Sequence, residues 1–313
     1  MDLFQKYNIF ILLNLILISS LQGSEETPKN GTSEKKKQKF ELLLKRQTYS
    51  FIPYNFTSYS EKTDPNESIE TRHLQQNQKV LVPAVFSYEN YEKNYRAEIS
   101  YYEVELVNPN SNVIRSNSSG LSAERFYYSP LARSEFEANF YKIISPIQNW
   151  NLYLGGGLRN INKYTYGKYM LDGAFQEYFY TYGPQVSIQS SYQFIENFTA
   201  NLSVDVFYTE GTRFFRTPMI STDTLVFTNG SAGTRGIFRG YESEISLQYK
   251  FHENMRFHLG YNQIYSYFSY LHFDQLNLSY HLSSPSYISI SNGSRSGNYE
   301  ILRGFFLGFS VFF

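Results

Sequence analysis

The chain has 313 residues, no Cys and a formal net charge of zero. Aromatic residues make up 19% of it, yet the mean hydropathy is −0.42. This combination excludes a helical membrane protein and a disordered one, and it favours strands with one apolar and one polar face. The neutral charge gives no reason to expect a nucleic-acid partner. The lack of Cys excludes a disulfide framework and a Cys-type zinc site, and no pattern indicates another metal or a cofactor.

The N-terminus predicts an export signal and a short lead-in. Lys6 precedes an apolar run over residues 9–18, and a small and polar stretch follows it. A run this short predicts a signal peptide rather than a spanning helix, with cleavage near Gly23. Residues 24–38 are polar and without periodicity, which predicts a flexible periplasmic segment. We therefore divide the chain into a signal peptide (1–23), this lead-in (24–38) and a folded domain (39–313).

A repeated turn organises the folded domain. Residues 146–150, 194–198 and 251–255 each end in Gln or Glu, then Asn, then a large apolar residue, and a weaker copy lies at 92–95. Strict alternation of apolar and polar residues flanks these turns on both sides, which indicates strands. The same rule, apolar out and polar in, holds over six consecutive segments and is typical of a membrane β-barrel.

We predict an all-β, antiparallel, up-and-down transmembrane barrel. Ten strands fit best, with eight or twelve left open, because the first strand is weak and residues 286–291 could add a hairpin. The predicted strands are 40–56, 77–89, 94–107, 120–144, 149–162, 178–194, 198–210, 236–251, 254–271 and 297–313. The short turns face the periplasm. The long connections, which are predicted to be external, are 57–76, 108–119, 163–177, 211–235 and 272–296.

The last strand carries a specific resemblance. Its outward positions are Phe305, Leu307, Phe309, Val311 and Phe313. The strand resembles the closing strand of bacterial outer-membrane barrels, in which a terminal Phe and alternating apolar residues form an assembly signal. This resemblance implies the barrel-assembly machinery as a partner.

The whole mature chain is similar to one group of such barrels. Its lax cleavage site, its composition rich in Lys, Asn, Tyr and Phe, and its ending Ser310-Val311-Phe312-Phe313 resemble spirochaetal, in particular leptospiral, outer-membrane barrel proteins of unassigned function. The resemblance implies an outer-membrane location and an uncharacterised, bacterial, cell-surface protein. It implies no catalytic residues.

Charged residues at inward positions predict a polar network inside the barrel. Both signs occur in similar numbers, so the side chains can meet across a narrow bore as ion pairs. The alternative is a small, weakly selective pore. The residues are Arg96, Glu98, Arg133, Glu135, Glu137, Arg159, Asp205, Glu242, Glu244 and Arg256.

The fourth external connection combines Arg with aromatic residues, which suits anion binding at the surface. Its ligands could be the phosphates of lipopolysaccharide or an acidic host or extracellular ligand. The residues are Arg213, Phe214, Phe215, Arg216, Arg235 and Arg239.

A protease remains an alternative, because ten strands resemble the omptin family of outer-membrane proteases. That family pairs two acids on one side of the rim with Asp-x-His on the other. Here Glu103-Val104-Glu105 and His272-Phe273-Asp274 depart from the pattern in acid type and in His/Asp order. We therefore expect a non-enzymatic, integral outer-membrane barrel that exposes loops for structure or ligand binding. A narrow porin is the first alternative and a rim protease the second.

Overall fold

The computed structural model describes residues 38–54, 68–74, 80–106, 110–117, 120–168, 174–216, 225–228, 235–271, 276–281, 285–290 and 297–313. These residues form the strands β1 (Gln38–Gln47), β2 (Ser50–Ile52), β3 (Ser68–Leu74), β4 (Ala84–Asn90), β5 (Tyr95–Leu106), β6 (Asn110–Asn117), β7 (Gly120–Ile147), β8 (Trp150–Lys168), β9 (Ala174–Ile195), β10 (Phe198–Arg216), β11 (Leu225–Thr228), β12 (Arg235–His252), β13 (Met255–Leu271), β14 (Leu276–His281), β15 (Pro285–Ile290) and β16 (Gly297–Phe312). Within them, no helix is long and apolar enough to cross a membrane. The predicted signal peptide and nearly all of the lead-in lie outside the described residues.

Ten of the strands close into a barrel. The antiparallel ring runs β7-β5-β4-β1-β16-β13-β12-β10-β9-β8, and the pairing of β8 with β7 completes it. Closure leaves no unpaired edge, which lipid could not satisfy with hydrogen bonds. The ten-strand prediction is thus confirmed. The first and last of these strands, β1 and β16, pair along the seam, for example Leu44 with Phe309.

All four repeated turns connect neighbouring strands as predicted. They join β4 to β5, β7 to β8, β9 to β10 and β12 to β13. Asn94 and Asn149 have positive φ angles of 53° and 72°. Asn tolerates this left-handed conformation better than most residues do, which explains its place in two of the turns. Short turns lie on the periplasmic side of such barrels, so the long connections are external.

Two strands have bounds in the structure that differ from the predicted ones, because each meets a proline. The strand predicted over 40–56 is β1 followed by β2, and both pair with β16 in one register, from Gln47 with Phe306 to Ser50 with Arg303. It ends before Pro53, which has no N–H to donate to a ladder. The strand predicted over 77–89 is shorter, since β4 begins at Ala84, directly after Pro83.

The connections predicted as loops contain strands, which corrects that prediction. β8, β9 and β10 extend into residues 163–177 and 211–216, and β3 pairs with β6 beside the long β7. Residues 286–290 do form a strand, β15, but it pairs with β14 in a separate sheet with β11. The hairpin therefore does not raise the barrel to twelve strands. β7 spans 28 residues, far more than the roughly 9–11 that cross a bilayer.

The outer face of the barrel matches a membrane. A band of aliphatic side chains lies between two aromatic girdles, which is the arrangement expected at two membrane interfaces. The external girdle is mostly Tyr and the periplasmic one mixes Phe and Tyr: Tyr101, Tyr208, Tyr241, Tyr265 and Tyr299 above, and Phe40, Phe140, Phe194, Tyr249, Phe257 and Phe309 below. The five outward residues singled out from the sequence, four on β16 and Phe313 directly after it, lie on this face, where Phe305 and Leu307 are 67% and 65% exposed.

Candidate functional site

The structure places the ten charged residues singled out from the sequence inside the barrel. Strand alternation explains this, because each lies at an inward position of its strand. Five are at least nine-tenths buried: Arg133, Glu135, Glu137, Arg159 and Asp205. The other five line a cavity that opens to the periplasm: Arg96, Glu98, Glu242, Glu244 and Arg256.

A belt of ion pairs crosses the middle of the lumen. We call Arg133, Glu135, Arg159, Lys163 and Glu300 the central belt; each is at most 1% exposed. Its residues come from β7, β8 and β16, so it joins opposite parts of the wall. Charges buried this deeply are stable only when they are paired and hydrogen-bonded.

Pairing within the central belt is dense. The Arg133 Nε donates to Glu135 Oε1 at 2.7 Å, and its Nη1 donates to Glu300 and, at 3.1 Å, to Ser266 Oγ. Arg159 donates to the other oxygen of Glu135 and also pairs with Glu137 at 3.0 Å and with Glu242. Lys163 donates to Glu300. Each cation of the central belt therefore has at least one carboxylate partner.

A second barrier lies on the external side of the central belt. We call Phe51, Tyr54, Phe179, Phe238 and Phe268 the aromatic cap; all are at most 3% exposed. Tyr54 stacks on Phe268 with ring centres 4.1 Å apart, and Phe179 and Phe238 each lie 4.8 Å from Phe268. These rings are buried and in contact with one another, so the cap and the belt lie in series along the bore.

Polar contacts connect the aromatic cap to the central belt. The backbone N–H of Tyr54 donates to Glu300 Oε2 at 3.1 Å, and Lys163 Nζ lies 3.7 Å from the centre of the Tyr54 ring. The Tyr54 hydroxyl donates to Glu177 Oε2 at 3.1 Å, and Glu177 also accepts from Arg213 at 2.5 Å. Pro53 and Tyr54 thus lead the chain from β2 into the interior, where Tyr54 contacts both barriers.

Below the central belt the lumen is open. A polar cavity of about 1060 Å³ extends from the level of Glu137, Asp205 and Glu242 to the periplasmic turns at Tyr91 and Asn149. Most charges on its wall are paired: Lys45 with Glu244 at 2.6 Å, and Arg96 with both Glu89 and Glu98. Arg256, near the mouth, makes no such pair among the described residues and lies 4.3 Å from the centre of the Phe312 ring.

The Arg and aromatic residues predicted to bind anions at the surface do not all lie on the same side of the barrel wall. Arg213 points inward, is 7% exposed and pairs with Glu177, so its assignment to surface anion binding is wrong. Phe214, Arg235 and Arg239 do face outward, and Arg235 pairs with Glu210 at 2.9 Å. Phe215 and Arg216 belong to β10, and their side chains are not among those the structure describes.

The two Glu residues considered for a rim protease, Glu103 and Glu105, point away from the lumen. Val104 is the inward residue of the triplet at 1% exposure, and Glu103 is exposed on the outer face, where it accepts from Tyr101 at 3.2 Å. By strand alternation Glu105 lies on the same outer face. These carboxylates therefore cannot meet a partner across the lumen. His272 and Asp274 lie outside the described residues.

Sequence reasoning missed several interior residues. Lys163 and Glu177 fell within a predicted loop, and Tyr54 follows the proline that ends β2. Glu300 lies inside the predicted last strand, and its alternation with the outward residues there could have identified it as inward-facing. Lys45 lies in the first predicted strand, and its side chain points inward to Glu244.

Comparison with solved structures shows the barrel fold. The outer membrane protease OmpT from Escherichia coli aligns with a TM-score of 0.51 at 11% identity, over 91% of this chain and 99% of that chain. The Pseudomonas putida toluene transporter TodX aligns with a TM-score of 0.32 at 8% identity, over 89% of each chain. At such identities the likeness to OmpT concerns the fold alone, and the TodX alignment is too weak to support an argument. No curated protein gives a significant match.

One family accounts for nearly the whole folded domain. The family described as "Predicted outer membrane protein, Leptospiraceae" matches residues 36–313. This range includes all ten strands of the barrel, the central belt and the aromatic cap. The chain therefore belongs to this family of outer-membrane β-barrel proteins.

Proposed function

We propose that this protein is a sealed, non-enzymatic outer-membrane barrel that presents its external strands at the cell surface. One observation carries the proposal: the central belt and the aromatic cap lie in series across the bore, and every member of both is at most 3% exposed. A solute would have to break buried ion pairs and displace packed rings to pass. Each step would leave charges without partners in a medium of low polarity.

The external part of the wall supports the surface role. Long strands such as β7 continue beyond the length needed to cross the bilayer, and rigid scaffolds of this kind commonly carry recognition on their loops. Arg239 faces outward just beyond Tyr241 of the external girdle, a position suited to a phosphate of lipopolysaccharide. We propose lipopolysaccharide as a partner at this level. Host or extracellular ligands remain candidates for the more distant strands.

Conductance distinguishes the sealed barrel from a narrow porin. The purified protein, inserted into a planar lipid bilayer at high salt, should give no stable current steps above the leak. Insertion is checked in parallel by the heat-dependent mobility of the protein in gels. Stable, reproducible steps from protein that passes this check would contradict the sealed lumen and favour the porin.

Assembly machinery is the second proposed partner. The outward residues of β16 form a continuous apolar stripe at the seam, and the Phe313 carbonyl accepts from the Phe40 backbone N–H at 3.1 Å. Removal of Phe313 should reduce insertion into the outer membrane while export across the inner membrane continues. Fractionation of cells that express the shortened chain measures both steps, and normal insertion would contradict this role.

A further inference from the structure

Three cations at the periplasmic mouth of the cavity lack the partners found elsewhere in the lumen. We call Lys39 (β1), Lys250 (β12) and Arg256 (β13) the cationic arc; all three line the cavity. None of them lies within 4.0 Å of a carboxylate of the described residues. Lys39 Nζ lies 3.5 Å and Arg256 Cζ 4.3 Å from the centre of the same ring, that of Phe312.

The positions of the cationic arc make its members repel one another. Lys250 and Arg256 are directly opposite in the β12–β13 register, an arrangement that destabilises a sheet when the charges are alike. The Arg256 Nε–H is also buried without an acceptor. A buried donor without an acceptor is costly, and an anionic oxygen placed at this site would satisfy it.

Acids near the mouth do not supply that oxygen. Glu89 is opposite Lys39 in the β1–β4 register, but it accepts from Arg96 at 3.3 Å, from Tyr153 at 3.3 Å and from Tyr91. Burial raises the pKa of the Tyr91 hydroxyl, which therefore stays protonated and remains a donor to Glu89. Glu41, on β1, forms no ion pair with the arc among the described residues, so none of the three cations has a carboxylate within 4.0 Å.

We propose that the cationic arc binds a phosphate group presented from the periplasmic side. A phosphate monoester carries a charge of about −1.5 to −2 at neutral pH and three acceptor oxygens, which complement the three cations. Arg256 can engage two oxygens with its planar fork, and each Lys acts as a point charge. The cavity of about 1060 Å³ behind the arc leaves room for the rest of a small phosphorylated molecule. A lipid headgroup of the adjacent leaflet offers the same chemistry.

Calorimetric titration with inorganic phosphate tests the proposal. The folded protein in a zwitterionic detergent is titrated at constant ionic strength, with chloride as the reference anion. Wild type should bind phosphate saturably. Arg256→Gln and Lys39→Gln should each weaken binding by roughly tenfold or more, as expected for the loss of a charge-assisted hydrogen bond.

Lys142→Gln provides a matched control. Lys142 lies near the same end of the barrel but is exposed on the outer face of β7, so its loss changes the charge equally without touching the cavity. Its phosphate affinity should equal that of wild type. Equal weakening in Lys142→Gln and Arg256→Gln would overturn the proposal. If Arg256→Gln does not fold, Lys250→Gln at the exposed edge of the mouth gives the same comparison.

Reconstituted vesicles identify the source of the phosphate. Wild type and Arg256→Gln are inserted into phosphatidylcholine vesicles with and without phosphatidylglycerol, and their melting temperatures are compared. Stabilisation of wild type alone by phosphatidylglycerol, without binding of free phosphate, supports the site with a lipid headgroup as its ligand. Free-phosphate binding without a lipid effect supports a soluble ligand. If wild type responds to neither, the cationic arc is not a phosphate site.

Discussion

The central belt and the cationic arc both place positive charge inside the same barrel, but their surroundings differ. In the belt, Arg133, Arg159 and Lys163 each contact a carboxylate and are at most 1% exposed. In the arc, Lys39, Lys250 and Arg256 have no carboxylate partner among the described residues, and the open cavity lies beside them.

A buried cation with a carboxylate partner and a partly exposed cation without one have different consequences for the protein. A buried cation that is paired by its own chain stabilises one closed arrangement of the lumen, and removing its partner leaves a charge in a poor solvent. A partly exposed cation without a partner keeps its capacity to bind an anion. The proposed seal therefore depends on paired cations in the middle of the bore, whereas the proposed phosphate site depends on cations at the periplasmic mouth that have no carboxylate partner among the described residues.

Glu300→Ala should have the largest effect, because it removes the carboxylate that pairs with both Arg133 and Lys163. We expect a loss of roughly 3–5 kcal/mol in the free energy of unfolding, the usual cost of an uncompensated buried charge. Denaturant titration followed by the fluorescence of Trp150, the single Trp, measures it.

Glu103→Ala is the matched control for Glu300→Ala. It removes an exposed carboxylate on the outer face of the same barrel, and its effect should stay within about 0.5 kcal/mol. Equal destabilisation by both changes would show that the central belt is no more critical than surface charge.

Phe268→Ala should destabilise the barrel by about 3–4 kcal/mol, because it leaves a cavity at the centre of the aromatic cap. Three rings of the cap contact Phe268, and none of them can fill its place without leaving its own position. The central belt remains, so the bilayer conductance should stay at the leak. Current steps in this variant would mean that the cap alone seals the bore.

Gly304→Ala tests how tightly the external half of the seam is packed. A Cβ at this position would lie 1.7 Å from the Thr48 carbonyl oxygen, so the segment between β1 and β2 would have to move away from β16. We expect a loss of about 1–3 kcal/mol, as for other overpacked sites. Gly308 lies on the same strand in the periplasmic half, and a Cβ there would lie 3.1 Å from its nearest atoms. Gly308→Ala should therefore reduce stability less than Gly304→Ala. The melting temperatures of the two variants give the comparison.

Arg256→Gln should have a small effect on stability, of the opposite sign to Glu300→Ala, Phe268→Ala and Gly304→Ala. Removing one of two opposed cations relieves repulsion, so the free energy of unfolding should rise by about 0.2–1 kcal/mol in chloride at low ionic strength. Added salt screens exposed charges, and the gain should shrink as the salt concentration increases. A loss of stability at low salt would show that other groups of the chain already neutralise the positive charge of the cationic arc.

The sequence was sufficient to predict the wall of the barrel. Alternation along each strand separates an apolar outer face from a polar inner face, and the Asn turns identify where neighbouring strands connect. Both signals are local, because they depend on residues one to four positions apart. That is why ten strands and ten inward charged residues could be named before the structure was known.

The strand ends and the ion pairs could not be predicted in this way. Beyond the membrane the outer face is no longer apolar, so the alternation that identified β8 and β9 ends before Lys163 and Glu177. Arg213 looked like a surface residue for the same reason. Partners across the bore depend on how far each strand is shifted against the others, and a pairing such as Lys45 with Glu244 joins residues 199 positions apart.

The hydrogen bond from Tyr54 to Glu300 joins residues 246 positions apart, near the two ends of the described chain. Neither group can reach the other before β1 and β2 have paired with β16, and the stack of Tyr54 on Phe268 depends on the same step. The interior therefore completes its packing only when the circle of strands is finished. A barrel whose ring is still open would therefore lack the contact that joins Tyr54 of the aromatic cap to Glu300 of the central belt.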